Sequence, residues 1–264
     1  MKSPKKVINH IVNWLTRYCN KSKMNGFVIG ISGGIDSAVV STLCALTNKN
    51  VLCIEMSIHQ NKNEKKRSSE HISWLEKNFS NVSHYKISLS DILDLFKTKM
   101  PIEIDDNEKQ LLSLANTRAR LRMTTLYYFA SLKNYLVTGT GNKVEDFGVG
   151  FYTKYGDGGV DISPIADLLK SEVFKLAKYL KIIKSIQEAK PTDGLWPDNR
   201  TDEDQIGVSY DELEWAMKIY EKKIDINSFS ERQKLVLRVY KEFNTKNHHK
   251  MIQIPICKIP LNLL

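Results

Sequence analysis

Residues 32–37 read Ser-Gly-Gly-Ile-Asp-Ser, a set whose types and order suit the holding of a phosphate group. Two glycines permit a tight turn that aims backbone N–H groups into one small space, and the helix expected after them adds the positive end of its dipole. Ser32 and Ser37 bring hydroxyl donors, and Asp36 brings a carboxylate for the magnesium ion that accompanies a nucleotide. Further along, Thr140 and Glu145 close the run Gly-Thr-Gly-Asn-Lys-Val-Glu, where the hydroxyl can bond a nucleotide and the carboxylate can complete a metal shell with Asp36 and phosphate oxygens. A glycine-rich stretch then carries Lys154, Asp157 and Asp161. Lys170 sits near the expected start of a helix, where the dipole disfavours a cation, so an anion must compensate it.

Two common phosphate motifs are excluded. No Lys-Ser or Lys-Thr follows the glycines, so this is not a Walker loop, and no Gly-x-Gly-x-x-Gly fingerprint is present here. Residues 30–34, Gly-Ile-Ser-Gly-Gly, do satisfy Gly-x-Ser-x-Gly, the nucleophile elbow of serine hydrolases. Against that rival, the segment lies close to the N-terminus for a strand that normally sits deep in the sheet, and no His-Gly-Gly stretch is present.

The elements that must position these residues follow from periodicity. Phe27, Val28, Ile29 and Ile31 form the apolar run of a central parallel strand, and Ala38, Val39, Leu43 and Leu46 repeat at helical spacing after the turn. An amphipathic helix is predicted over residues 4–18, strands over 51–56 and 82–87, and a polar helix over 63–78 between them. A capping box at 88–91 opens a helix that Pro101 stops, and a long helix is expected over 107–133. A buried strand follows at 135–140, and a core-facing helix is expected to begin at Pro164. Residues 184–207 lose periodicity and collect Pro191, Gly194 and Pro197, the pattern of a loop that closes over a reacting centre. Helices from about 210, with a Ser209 to Glu212 capping box, and over 230–243 complete the body. Strands alternating with helices at this spacing imply an α/β fold, a doubly wound parallel sheet with helices on both faces, whose ligands bind beyond the carboxyl ends of the strands.

With 264 residues and 42% hydrophobic content the chain suits one domain, residues 1–264. Its formal charge of +9 is spread along the sequence without a basic block interleaved with aromatics, so no nucleic-acid partner is required. Cys19, Cys44, Cys53 and Cys257 show no Cys-x-x-Cys spacing and read as reduced. No hydrophobic leader and no apolar run long enough for a membrane span are seen, so a cytoplasmic protein without membrane attachment is expected.

The six-residue loop resembles the pyrophosphate loop of ATP pyrophosphatases, which split ATP between its α- and β-phosphates. Residues 139–145, together with Phe-Tyr-Thr-Lys-Tyr-Gly-Asp-Gly-Gly-Val-Asp at 151–161, are closely similar to one branch, the ammonia-dependent NAD synthetases, and the likeness runs almost to the C-terminus. That resemblance implies an adenine nucleotide α-hydrolase-like fold. It implies a ligase that forms NAD from deamido-NAD, ATP and ammonia through a deamido-NAD adenylate, releasing AMP and pyrophosphate. ATP would be held by Gly30, Ile31, Ser32, Gly33, Gly34, Ile35, Asp36, Ser37, Thr140, Lys170 and Thr192. Deamido-NAD would be held by Arg120, Lys154, Asp161, His249 and Lys250. Asp36 and Glu145 would bind Mg2+, and Asp157, Lys170 and Asp36 would be catalytic, with Asp157 near the ammonia. The helix at 107–133 would pair with its twin in a homodimer. Between Glu145 and Lys154 the chain is one residue longer than the commonest family pattern, which makes Asp146 a possible substitute ligand. Another ligase of the same superfamily, such as a tRNA-modifying enzyme, is the alternative reading.

Overall fold

The computed structural model describes residues 1–101, 107–192, 201–222 and 229–264. Four strands, β1 (Gly26–Gly30), β2 (Asn50–Ser57), β3 (Val82–Ser88) and β4 (Tyr135–Val137), form one sheet in the order β3-β2-β1-β4. All pairings are parallel, with Gly26 opposite Asn50 on one side and Tyr135 on the other. The chain steps outward from β1 to β3 and then returns to place β4 on the other flank of β1. The order therefore reverses beside β1, and in such sheets the crevice that opens there at the carboxyl ends is where ligands bind.

Helices cover both faces because the apolar strand residues alternate between them. Phe27, Ile29, Val51 and Cys53 share a core with α1 (Pro4–Lys21), α2 (Ile35–Ala45) and α6 (Lys170–Tyr179). Val28, Leu52, Ile54, Met56 and Val137 face the opposite side, against α4 (Ser90–Lys99) and α5 (Asn107–Lys133). Between them, α3 (Lys62–Asn78) is opened by Asn61, whose side chain accepts from Glu64 N at 2.8 Å. A third core joins α9 (Tyr210–Lys222) and α10 (Glu231–Met251) to a π-helix, Val144–Val149. The Ser209–Glu212 capping box is formed, with Ser209 N bonded to the glutamate at 2.9 Å and Glu212 N to the serine hydroxyl at 3.3 Å.

Several boundaries differ from the sequence reading. The box expected at 88–91 is not formed: α4 starts at Ser90 with Leu89 as its cap, and the Ser90 hydroxyl instead accepts from His59 N at 3.2 Å. The strand expected over 135–140 ends its ladder at Val137, after which Thr138 forms a single parallel bridge with Ile162. That bridge explains a second difference. The helix expected from Pro164 begins only at Lys170, because Ile162 is held beside the sheet and the Leu168 carbonyl accepts from Lys143 N at 2.9 Å, which ties this segment to the 138–143 loop. α10 runs on to Met251, beyond the 230–243 expected. The stretch 184–207 contains α7 (Lys184–Gln187) and α8 (Asp202–Ile206), whereas Gly194 and Pro197, on which the expected loop closure depends, lie outside the described residues.

One buried polar pair in the first core has a measurable consequence. His71 is fully buried on α3, its Nε2 lies 2.9 Å from the Ser41 hydroxyl of α2, and its ring stacks on Trp74 at 5.7 Å. Burial holds the imidazole at about 4, against an ordinary 6.5. The unfolded chain therefore binds the extra proton between those values, so stability is lost as pH falls through this window, by roughly 3 kcal/mol at its lower end. Urea titrations of the wild type and His71→Gln from pH 7 to 4 are expected to show a shallower decline for the variant.

Candidate active site

The loop after β1 is folded upon its own hydroxyls. Ser32 Oγ accepts from Gly34 N at 3.1 Å and lies 3.1 Å from Ser37 Oγ, while Ser37 Oγ donates to the Gly34 carbonyl at 3.0 Å and accepts from Ser32 N at 3.3 Å. Gly33 turns with φ +83, a conformation other residues rarely adopt, and a Cβ there would lie 2.7 Å from the Glu64 carbonyl oxygen of α3. The loop then enters α2 at Ile35 with no side-chain cap, so the first amides of that helix are not claimed by a capping residue. Ile31 and Ile35 are buried, and any contribution they make to a ligand comes from their backbone. Among the described residues no histidine or carboxylate bonds Ser32, so the elbow of a serine hydrolase lacks its base; His71 is bonded to Ser41 inside the core.

Beside the loop, three residues remote in sequence converge. Lys170 Nζ donates to Asp36 Oδ2 at 2.6 Å and to Glu145 Oε1 at 2.9 Å, so one ammonium serves two carboxylates. Asn142 braces them: its amide donates to Asp36 Oδ1 at 3.2 Å and its carbonyl accepts from Val144 N at 3.2 Å and Glu145 N at 3.3 Å. Tyr210 OH donates to Glu145 Oε1 at 2.5 Å and to Asp202 Oδ2 at 3.0 Å, and its ring lies 4.8 Å from the Lys170 ammonium. Burial works against every charge here, yet the two carboxylates hold the Lys170 pKa well above its usual range. Glu145 is lowered, since Lys170 and the Tyr210 hydroxyl outweigh its burial, while burial leaves Asp36 raised. The anions that compensate a lysine at a helix start are thus the protein's own.

Glu145 reaches this position on a π-helix, which accommodates one residue more than an α-turn would. α10 secures the widened turn, because Asn244 and Asn247 donate to the carbonyls of Gly148 and Val149 at 2.7 and 2.8 Å. Gly150 ends it at φ +62, where a Cβ would lie 2.5 Å from the Asn247 side chain. The turn also brings the Asp146 carboxylate against Gly141, into the space a Cβ at that position would occupy. Burial, then the charges of Glu145, Asp157 and Asp36, push the Asp146 pKa well above the carboxylate range.

The remaining expected residues fall into two groups. Arg120, Lys154, His249 and Lys250 come together: Arg120 Nη2 donates to the Lys154 carbonyl at 3.4 Å, and Lys154 Nζ donates to the His249 carbonyl at 2.7 Å. Lys250 Nζ donates to the carbonyls of Gly150 and Tyr152 at 3.0 and 2.9 Å, and burial lowers its pKa. Asp157 is exposed beside them and accepts from Thr153 N at 2.9 Å. Asp161 is turned to the sheet instead, where it accepts from Tyr127 OH at 2.9 Å and from Val137 N at 2.8 Å. Thr140 lies half-buried two residues past the Thr138 bridge, and Thr192 lies at the margin of the described residues.

A serine- and glycine-rich loop at the switch point, facing a lysine shared by two carboxylates, can take an anionic group on one side and a cation on the other. Comparison with known proteins says whose arrangement this is. A protein-family model described as NAD synthase matches residues 7–253. The chain belongs to the NAD synthase family. Among curated relatives, the NH(3)-dependent NAD(+) synthetase of Mycoplasma genitalium is 38% identical over 247 residues, which is 93% of this chain and 92% of the relative. The enzyme of the same name from Archaeoglobus fulgidus is 41% identical over 220 residues, 82% of this chain and 84% of that one. Among solved structures, an NMN synthetase from Francisella tularensis aligns at TM-score 0.83 and 32% identity, covering 99% of this chain and 100% of that one. An NH3-dependent NAD synthetase from Campylobacter jejuni, in complex with the nitrate ion, aligns at 0.77 and 29%, covering 97% and 100%.

In this NAD synthase family member, Asn142, Tyr210 and Asp202 are the site residues that sequence reasoning missed. Asn142 lay within a motif already singled out and was passed over for its charged neighbours, whereas nothing local marks Tyr210, the first residue of α9. Removing only its hydroxyl strips a donor from two buried carboxylates and keeps the ring beside Lys170. Tyr210→Phe is expected to cost roughly 2–3 kcal/mol of stability, read as a lower denaturant midpoint at unchanged slope.

Proposed function

We propose that this chain makes NAD by joining ammonia to the carboxylate of deamido-NAD at the expense of ATP. The observation that carries the reading is the convergence of Asp36, Glu145 and Lys170 at the mouth of the residue 32–37 loop, in a chain that matches the NAD synthase family over residues 7–253. A carboxylate resists amide formation because its oxygen leaves poorly. Transfer of AMP from ATP to that oxygen makes it a good leaving group and releases pyrophosphate, which the amides and hydroxyls of the loop are placed to receive. Ammonium then gives one proton to Asp157, ammonia attacks the acyl carbon, and as the acyl–oxygen bond to AMP breaks the nitrogen loses its second proton to solvent, leaving the amide.

Asp36 and Glu145 fit a magnesium ion by the chemistry of their donor set. Their carboxylates converge on the Lys170 ammonium and are oxygen donors of the kind a hard cation takes together with phosphate oxygens, while among the described residues no third His, Cys, Asp or Glu completes a metal-holding cluster. When bound, the ion would supply charge to the phosphate oxygens beyond what Lys170 provides. The Arg120, Lys154, His249 and Lys250 group supports a dinucleotide subsite on the other side of the π-helix. Exposed Leu111, Leu112, Tyr128 and Leu132 on α5, with Ile92, Leu95 and Phe96 on α4, support pairing of two copies through the long helix. Among the described residues no helix is long and apolar enough to cross a membrane. The buried cysteines, Cys19, Cys44 and Cys53, are unpaired, which suits the reducing cytoplasm.

The test is pyrophosphate release from ATP in the presence of magnesium, with ammonium or glutamine as donor. Release that requires deamido-NAD and ammonium is expected. Because one relative of known structure is an NMN synthetase, nicotinate mononucleotide is the second acid to assay, and release with that acid alone would move the assignment to the mononucleotide. Release independent of either acid would end the reading. Asp157→Asn retains an acceptor for Thr153 N and is expected to leave pyrophosphate release intact in the first turnover while slowing amide formation on the order of 100-fold.

A further inference from the structure

Charge is scarce where the pyrophosphate must sit. The loop offers hydroxyls and amides but no cation of its own, and Lys170 is already held between Asp36 and Glu145, so that trio carries a net negative charge. A departing pyrophosphate adds several negative charges to the same space. From the opposite wall, α3 presses on the loop. A Cβ at Gly33 would lie 2.7 Å from the Glu64 carbonyl, 3.1 Å from Ser68 N and 3.3 Å from the Cβ of Arg67, so the Arg67 stem runs against the turn itself. Arg67 Nε donates to the Gly33 carbonyl at 3.2 Å.

We infer that Arg67 is a pyrophosphate-binding residue: its Nε latches the loop through Gly33 and its two terminal nitrogens meet the leaving phosphates. This rests on the reading of the site given above. Among the described residues no carboxylate pairs with Arg67 and no acceptor meets its terminal nitrogens, whereas its neighbour Lys66 has Glu70 at 3.8 Å. A guanidinium fixed at one nitrogen is pre-oriented, and its fork matches phosphate oxygens in a way that a lysine at this position would not. The bond to Gly33 also ties the turn to α3, so one side chain both shapes the cradle and brings charge to it.

The experiment is calorimetric titration of the full chain with magnesium pyrophosphate, for the wild type, Arg67→Gln and Arg67→Lys, alongside pyrophosphate inhibition of turnover. Glutamine retains a donor for the Gly33 carbonyl but no charge; lysine retains the charge without the fork. Arg67→Gln is expected to bind pyrophosphate at least ~10-fold more weakly at an unchanged thermal midpoint and unchanged affinity for deamido-NAD, with Arg67→Lys between it and the wild type. Should the glutamine variant fail to fold, the lysine variant decides, since wild-type affinity for pyrophosphate in it would overturn a role for the fork. Equal pyrophosphate binding by wild type and Arg67→Gln would reduce Arg67 to a structural latch and overturn the proposal alone. A wild type that does not bind pyrophosphate would overturn the proposal together with the reading of the loop.

Discussion

The site depends on one buried ammonium. Lys170 stands 134 residues from Asp36 and 25 from Glu145, yet its Nζ lies within hydrogen-bond distance of both. Each partner belongs to a different part of the fold: Asp36 to the helix after the first strand, Glu145 to the π-helix, and Lys170 to the start of α6. Desolvating three charges is expensive, and removal of the one ammonium would leave two carboxylates facing each other without compensation. The trio therefore links three elements that are remote in sequence. It also explains why a lysine is tolerated at the positive end of a helix, where the dipole alone would reject it.

Much of this could be read before any coordinates. The apolar run at 27–31, the glycine turn and the helical repeat beyond it are local signals, and local signals place the loop at the end of a parallel strand. The long helix at 107–133 was legible from its own length and stop signals, and its bounds match α5. What could not be read depends on distant partners. Nothing between residues 164 and 170 says that a bridge from Thr138 to Ile162 will hold that segment away from helix. Tyr210 illustrates the same limit, because its role comes from Glu145 and Asp202, and its sequence neighbours announce only a helix start.

The π-helix at 144–149 bears on how Glu145 and the residues after it are placed. An added residue in a loop would displace everything after it, but a π-turn takes it up locally as a wider coil. Glu145 within the wide turn and Lys154 beyond it both have partners that depend on their position, Lys170 for one and the His249 carbonyl for the other. The cost falls on α10, which must supply Asn244 and Asn247 to satisfy the carbonyls that a wider turn exposes. The same turn carries the Asp146 carboxyl inward against Gly141.

Charge in the site is divided between two walls and the strip that separates them. On one wall the hydroxyl loop and Arg67 make a place for phosphate, and on the other Lys154, Lys250 and Arg120 gather positive charge around the 150–154 backbone. Between them lie Asp36, Glu145, Asp146 and Asp157, and burial, then the charges of the other three, raise Asp146. Lys170 already stands between Asp36 and Glu145, so the strip is not bare of positive charge. The acidic strip thus separates two surfaces that carry cationic side chains, and the one ammonium within it tempers the repulsion of its two nearest carboxylates.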